Sequence, residues 1–394
     1  MPARSTEAEV EPAILAWARA SAGMSIEEAA QSLQTKPERV VEWEEGERHP
    51  SMAQLRKMAA AYKRLLSDFF LPEPPKEDPI PHDFRRLPGE VAFRYSRALR
   101  YQLRLARQRR ELALDLATEL DEEVPTIPIR IELTADPERA GADLRQFLRV
   151  SLEAQRSWRG PRASYNAWRA AAERAGILVF QVTGVPPAEM LGFSLSERPL
   201  PVIGVNRKLH LNRRTFTLLH ECVHVLLESS GICDIEESVL RPPEEQRPEV
   251  FCNAVAGAAL VPRDALLAHP LVSSPRPRDW SDDELGSLGR TFGVSGEVIL
   301  RRLLNAGRTT QAFYAERRAV WGRLFDTPDS APDPDADYKR NMPQEVISDL
   351  GRPFTRLVVE SYLNSFTSLS DVSRHLGLRV DKVAKVRELL AREQ

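Results

Sequence analysis

Thr215 to Leu227 reads TFTLLHECVHVLL, and its period decides how the rest of the chain is read. Phe216, Leu219, Val223 and Leu226 recur in steps of three and four, the spacing of one face of an α-helix. His220 and His224 stand four apart, so both imidazoles leave that helix on one side, where two ring nitrogens can meet a single cation. Glu221 follows the first histidine by one position, which suits its carboxylate to reach a water beside the cation rather than the cation itself. The apolar stripe predicts a helix anchored in a core, with the imidazoles facing a cleft.

Catalytic zinc takes three protein ligands and keeps a fourth position open. The downstream acids that qualify as the third are Glu228, Asp234, Glu236, Glu237, Glu244, Glu245 and Glu249. Glu249 is the best placed. It opens EVFCNAVAGAALVP (249–262), which reads as a helix begun by Pro248 and stopped before Pro262. Ala254, Ala256, Gly257, Ala258 and Ala259 leave that helix little bulk, so it is expected to pack close against the helix of His220. Asn253, one turn after Glu249, is expected to steady the ligands through a hydrogen bond. Cys222 and Cys252 read as small buried fillers.

The chemistry that follows is amide hydrolysis. Zn2+ lowers the pKa of its water and polarises a carbonyl, and Mn2+ fits the same donors. Glu221 would take the water proton and pass it to the leaving amine. An oxyanion donor is expected close by, with His210, Tyr165 and Arg214 as candidates. A substrate strand is expected to add to an edge formed by 191–195 or 201–205.

Composition limits the alternatives. The chain has 394 residues, 55 Lys and Arg against 57 Asp and Glu, and a net charge of -2. That excludes a globally basic nucleic-acid coat, though not a local patch. No window is long and apolar enough for a transmembrane helix, and MPARSTEAEVEP lacks the apolar core of a secretory signal. The three cysteines, Cys222, Cys233 and Cys252, form no C-x-x-C pair, which argues against a disulfide framework and for a cytoplasmic protein.

Two proline-rich breaks divide the chain: PEPPKEDPIP (72–81) and DTPDSAPDPDAD (326–337). They predict a helix-turn-helix bundle over 1–72 and a linker with an Arg-rich helix over 73–129. A metallopeptidase domain over 130–325 and a helical C-terminal unit over 338–394 follow. In the bundle, Ile14, Leu15 and Ala18 begin an apolar stripe. Ser25 with Glu28 and Thr35 with Glu38 read as capping boxes, and Ser51 starts a further helix. One long helix is expected over 90–122. Strands are expected at 177–182, 191–195 and 201–205. There is no fixed-period repeat array, yet 25–46, 284–303 and 369–388 share a loose helix-turn-helix rhythm. The first is taken as the fold-defining pair, the other two as packing elements. The fold class is thus α+β and mostly helical, with a small antiparallel sheet.

In order, ILVFQV, MLGFSL, PVIGVN, RRTFTLLHECVHVLL and EVFCNAVAGAALVP resemble the ImmA/IrrE-type metallopeptidases. SIEEAAQSLQTKPERVVEWEEGERHPS (25–51) resembles the xenobiotic-response-element type of helix-turn-helix, and the pairing of the two, with FFLPEPP and HDFR between them, is itself found in that family. The resemblance implies a gluzincin-like ligand set of His220, His224 and Glu249 with Glu221 as base. It also implies a protein substrate, a transcriptional repressor or antitoxin cleaved under stress or mobile-element cues. Cys222, Val223 and Cys252 depart from the residues usual at their positions.

The N-terminal unit leaves two readings open. Its fold suits duplex DNA, with Lys36, Arg39 and Arg48 as the contacts. However, Glu38, Glu42, Glu44, Glu45 and Glu47 share the same stretch, and acids repel a phosphate backbone. The second reading is a protein-docking or dimerising bundle. The favoured function is a zinc-dependent endopeptidase acting on a regulatory protein and so on transcription. The alternatives are a DNA-binding regulator with a structural or inactive metal site, and a toxin–antitoxin or phage-defence component that acts by binding a partner. A homo-oligomer is compatible with all three.

Overall fold

The computed structural model of the chain describes residues 7–75, 82–83, 95–229, 231–233, 243–325 and 342–392. Two compact units emerge: Met1–Ile80 with Gly89–Leu105, and Pro81–Pro88 with Ala106–Gln394. The acidic break at 326–337, most of the proline-rich stretch at 72–81 and the expected helix start at 90–94 lie outside the described residues.

The first unit is built from α1 (Pro12–Ser21), α2 (Ile26–Leu33), α3 (Pro37–Glu44) and α4 (Met52–Tyr62). Ile14, Ala18, Leu33, Val40, Trp43, Leu55, Met58 and Phe69 form its core. Ser25 and Glu28 close the expected capping box, as do Ser51 and Gln54. Thr35 does not cap α3. The N-cap is Lys36, which makes no side-chain cap, and Pro37 occupies the first turn. Proline's fixed φ and missing N–H start that helix without a hydroxyl acceptor.

β1 (His82–Asp83) precedes α5 (Arg97–Glu119), the core of the helix expected over 90–122. Its arginines hold main-chain carbonyls. Arg104 donates to Lys63 O at 2.7 Å, and Arg110 donates to Pro199 O at 2.8 Å and Leu200 O at 3.0 Å.

The second unit continues with α6 (Pro137–Leu148), α7 (Leu152–Ser157), α8 (Gly160–Arg174), β2 (Leu178–Val182), β3 (Gly192–Leu195) and β4 (Val202–Asn206). Then come α9 (Leu211–Leu226), β5 (Gly231–Cys233), α10 (Pro243–Leu260), α11 (Arg263–Leu267), α12 (Asp282–Phe292), α13 (Gly296–Asn305) and α14 (Gln311–Phe325). The chain closes with α15 (Met342–Leu350), α16 (Arg352–Leu363), α17 (Leu369–Leu376) and α18 (Val380–Ala391). No helix among the described residues is long and apolar enough to cross a membrane.

The sheet is small and mixed, in the order β1-β5-β3-β4-β2. β3 runs antiparallel to β4 and to β5, but β2 and β4 are parallel, pairing Leu178 with Val202 through Val182 with Asn206. The expected small antiparallel sheet is thus a mixed one. LVFQV and VIGVN are buried at every position, so both faces are covered, the condition under which short apolar strands pair in parallel. The pairing also corrects the expected substrate edge. β3 has β4 on one side and β5 on the other, and β4 lies between β3 and β2.

α9 packs against β3 and β4, α8 and α10. Trp168, Leu218, Leu219, Val223, Val255, Phe292 and Ile299 share the main core around it. α10 begins at Pro243, five residues before the expected start, and Pro248 sits inside it. Being close to the N-terminal turn, Pro248 forgoes only one helical hydrogen bond. The small-residue face of α10 meets α6 most closely. A Cβ on Gly141 would stand 2.8 Å from both Ala258 Cβ and Ala259 N. Residues 342–392 fold back within the second unit: Gln181 Nε2 donates to Ser348 O at 2.8 Å, and Arg207 pairs with Asp349 at 3.0 Å.

Candidate metal centre

The two histidines of α9 project from adjacent turns, and α10 brings Glu249 to meet them. His220 Nε2 lies 3.2 Å from His224 Nε2. Glu249 Oε2 is 3.3 Å from the first ring nitrogen, and Oε1 is 3.1 Å from the second. Zn–N and Zn–O bonds of about 2.0–2.1 Å in tetrahedral geometry place ligand atoms roughly 3.3 Å apart. The donor set therefore fits a tetrahedral cation with three protein ligands. Among the described residues no fourth His, Cys, Asp or Glu joins the group.

The far nitrogen of each ring is also held. His220 Nδ1–H donates to Asn253 Oδ1 at 3.0 Å. His224 Nδ1–H donates to Ser229 Oγ at 3.1 Å, and that hydroxyl in turn reaches His224 O at 3.5 Å. With the proton on Nδ1, each Nε2 keeps its lone pair for a cation, which is how such partners fix tautomer and ring angle. Glu228 adopts φ of 55° just after α9, and this left-handed turn returns Ser229 N–H to His224 O at 3.0 Å.

His224 and Glu221 are fully buried, His220 is 4% exposed and Glu249 9%. Burial alone would lower the His220 pKa, but the Glu249 carboxylate beside it outweighs this and the net direction is upward. Burial alone would raise the Glu249 pKa, but the two imidazoles outweigh it and hold the carboxyl well below its usual range. Both shifts describe a carboxylate whose charge is matched by its neighbours. Burial pushes the Cys222 and Cys252 thiols upward, with the acids beside them adding to it. Both cysteines are free and buried, as expected of fillers.

Glu221 points to β3. A Cβ on Gly192 would stand 2.8 Å from Glu221 Oε1, 2.6 Å from Thr217 Cγ2 and 3.1 Å from Gly204 O. Only a glycine leaves room for the carboxylate between helix and strand.

Residues 172–304 match the model of a peptidase family described as the IrrE N-terminal-like domain, and residues 15–69 match a helix-turn-helix model. The chain carries an IrrE N-terminal-like domain behind a helix-turn-helix domain. No curated protein matches the chain. The IrrE-like match spans α9, α10 and the strands β2 to β5, so the donor set falls wholly within a metallopeptidase-type domain.

Of the residues singled out in the sequence, His220, His224, Glu249, Glu221 and Asn253 come together in the IrrE-like domain. Glu228 does not join them; it pairs with Arg130 and Arg198 at 3.4 Å each. Asp234, Glu236 and Glu237 lie outside the described residues, as do the side chains of Glu244 and Glu245. Arg214 donates to Leu209 O and Gln181 Oε1. Tyr165 is buried in the core and His210 is exposed at the N-cap of α9. Two residues went unnoticed. Gly192 had a signal, a glycine inside a short apolar strand. Ser229 had none, because its position depends on the left-handed turn at Glu228.

In the helix-turn-helix domain, Glu42 takes up two of the three candidate DNA contacts, Arg39 at 3.2 Å and Arg48 at 3.4 Å. Lys36 is exposed.

Proposed function

We propose that the chain is a zinc-dependent endopeptidase that cleaves a regulatory protein, a repressor or antitoxin, in the cytoplasm, and so controls transcription. The observation that carries this reading is the donor set: three buried protein ligands at tetrahedral spacing, with Glu221 beside them but outside the set. Three ligands leave a coordination position for substrate or water, whereas a structural site is closed by a fourth.

His220, His224 and Glu249 would hold the cation, and Asn253 and Ser229 fix the two rings. When bound, the cation supplies Lewis-acid polarisation and activation of water; Mn2+ would serve the same donors. Glu221 accepts a proton from the attacking water at its carboxylate and returns it to the departing amine nitrogen. Gly192 lets that carboxylate sit against β3. β3 and β4 being paired on both sides, the substrate is not taken as an added strand on either.

The test joins metal analysis with Glu221→Gln. The variant is expected to keep its metal and its fold while cleavage of the cognate regulator falls by about 10²–10⁴. Persistence of cleavage in this variant sinks the mechanism.

A second reading concerns the helix-turn-helix domain. The excess of acids around α3, Glu38, Glu42, Glu44, Glu45 and Glu47 against Lys36, Arg39 and Arg48, favours protein docking by this helix over contact with DNA through the three bases. Reversing all three charges separates the two: duplex affinity is unaffected under docking and lost under DNA contact.

A further inference from the structure

One local device opens three helix pairs, and α4 carries it too, with Ser51 and Gln54, Lys63 at φ of 54° and Arg64 N–H returning to Ala59 O at 3.0 Å. α2–α3, α12–α13 and α17–α18 each begin on a serine N-cap in a capping box, Ser25 with Glu28, Ser281 with Glu284 and Ser368 with Asp371. Each first helix ends on a left-handed residue, Gln34, Gly293 or Gly377, with φ of 54°, 67° and 64°. The next N–H then returns five residues: Thr35 to Ala30 O at 2.9 Å, Val294 to Gly289 O at 2.9 Å and Leu378 to Ser373 O at 3.0 Å. α2 and α17 are both eight residues long. The family match to a helix-turn-helix covers only the first of the three pairs.

What differs is the outer face of the second helix. In α12–α13, Leu285, Leu288, Phe292, Ile299, Leu300 and Leu303 all belong to the main core, so that pair is a packing element. α3 is acidic. α18 is the reverse. From Arg379 to Arg392 there are five bases and two acids. Val383 and Val386 turn inward, 4% and 0% exposed, while the side chains of Arg379, Lys382 and Lys385 are 87%, 52% and 45% exposed. Arg387 and Arg392 are exposed as well. The helix rests on α15, α16 and α17, and Arg352 Nη2 donates to Leu390 O at 2.7 Å.

We propose that α17–α18 is a second helix-turn-helix, which binds duplex DNA with α18 in the major groove. Lysines and arginines along one helix neutralise the phosphates that flank a groove, and this supplies most sequence-independent affinity. A recognition helix reads bases with its N-terminal residues. There α18 presents Val380, 47% exposed, an apolar group of the kind that packs on thymine methyls. Arg379, Lys382 and Lys385 each have an acid beside them, Asp381 at 3.3 Å from Arg379 and 3.6 Å from Lys382, and Glu388 at 2.7 Å from Lys385; exposed pairs of this kind cost little to exchange for phosphate. The proposal rests on no property of the metal centre.

The test is anisotropy of a labelled, short mixed-sequence duplex titrated with the full chain. With about five phosphate contacts, affinity is expected to fall on the order of 10²–10³ between about 50 and about 200 mM salt. Lys382→Glu/Lys385→Glu/Arg392→Glu is expected to weaken binding at least about tenfold and flatten the salt slope by about three. Lys36→Glu/Arg39→Glu/Arg48→Glu is expected to leave it within about twofold. Circular dichroism and metal content check the fold, and the three glutamine substitutions at the α18 positions give the same reading should charge reversal unfold it. Absence of duplex binding by the full chain, loss that follows the N-terminal variant instead, or tighter capture by phosphatidylserine vesicles or single-stranded RNA each overturns the proposal.

Discussion

The Cα of Gly192 on β3 lies against the carboxylate of Glu221 on α9, so closely that an added methyl would stand 2.8 Å from Oε1. The strand thus sets how far the carboxylate can swing. Gly192→Ala must displace Glu221, Thr217 or the β3–β4 pairing. Forced overpacking of this kind costs about 1–3 kcal/mol, and an ångström of misplacement at a reacting group costs about 10² in rate. Peptidase activity is therefore expected to drop by about that factor while metal content holds. A variant with normal turnover would show that Glu221 is not positioned by this strand.

The rings of His220 and His224 are oriented by Asn253 and Ser229, one partner each. Losing such a partner lowers metal affinity by about 10–100-fold. Asn253→Ala and Ser229→Ala are each expected to do so, measured by competition with a chelator, while thermal unfolding of the metal-free chain changes little. If neither moves the affinity, the rings are held by packing alone.

Much of this was legible before the structure, and the reason is locality. The spacing of His220 and His224, the serine caps and the apolar stripes are set within one or two helical turns, where geometry follows from residue type. What was not legible depends on distant pairing. β2 and β4 read as interchangeable buried strands, and nothing in either states that they run parallel. β3 pairs on one side with β4, the next strand, but on the other with β5, which follows α9 in the chain. Pro248 reads as a helix start because the missing N–H is cheapest there, yet α10 begins five residues further back, at Pro243. Ser229 acquires its role only after Glu228 turns left-handed.

Acid should reveal the capping box of α12. Hydrogen bonds from Arg278, then from the Ser281 backbone, lower the Glu284 pKa from its ordinary 4.5 to about 2. A depressed carboxyl contributes stability above its unfolded value and loses it as pH falls through the folded one. Glu284→Gln mimics the protonated form. Its deficit against the parent chain, about 1 kcal/mol for an exposed cap and ion pair, is expected in full at pH 6. It should narrow as pH drops from about 4.5 towards 2. Urea midpoints at descending pH check it; a gap that widens on acidification contradicts the assignment.

Gly141 carries the last expectation, because it couples the fold to the donor set. Its missing side chain lets α6 approach α10 until Ala258 Cβ and Ala259 N would be 2.8 Å from any Cβ placed there. One of those neighbours is backbone, so it cannot rotate away, and Gly141→Ala must push the helices apart. α10 also holds Glu249, whose two oxygens stand 3.1 and 3.3 Å from the imidazoles. The substitution is expected to cost about 1–3 kcal/mol, roughly 2–10 °C in Tm for a unit of this size. It should weaken metal binding as well, although no ligand is touched. Loss of stability with unchanged metal affinity would mean that Glu249 follows α9 rather than the α6–α10 interface.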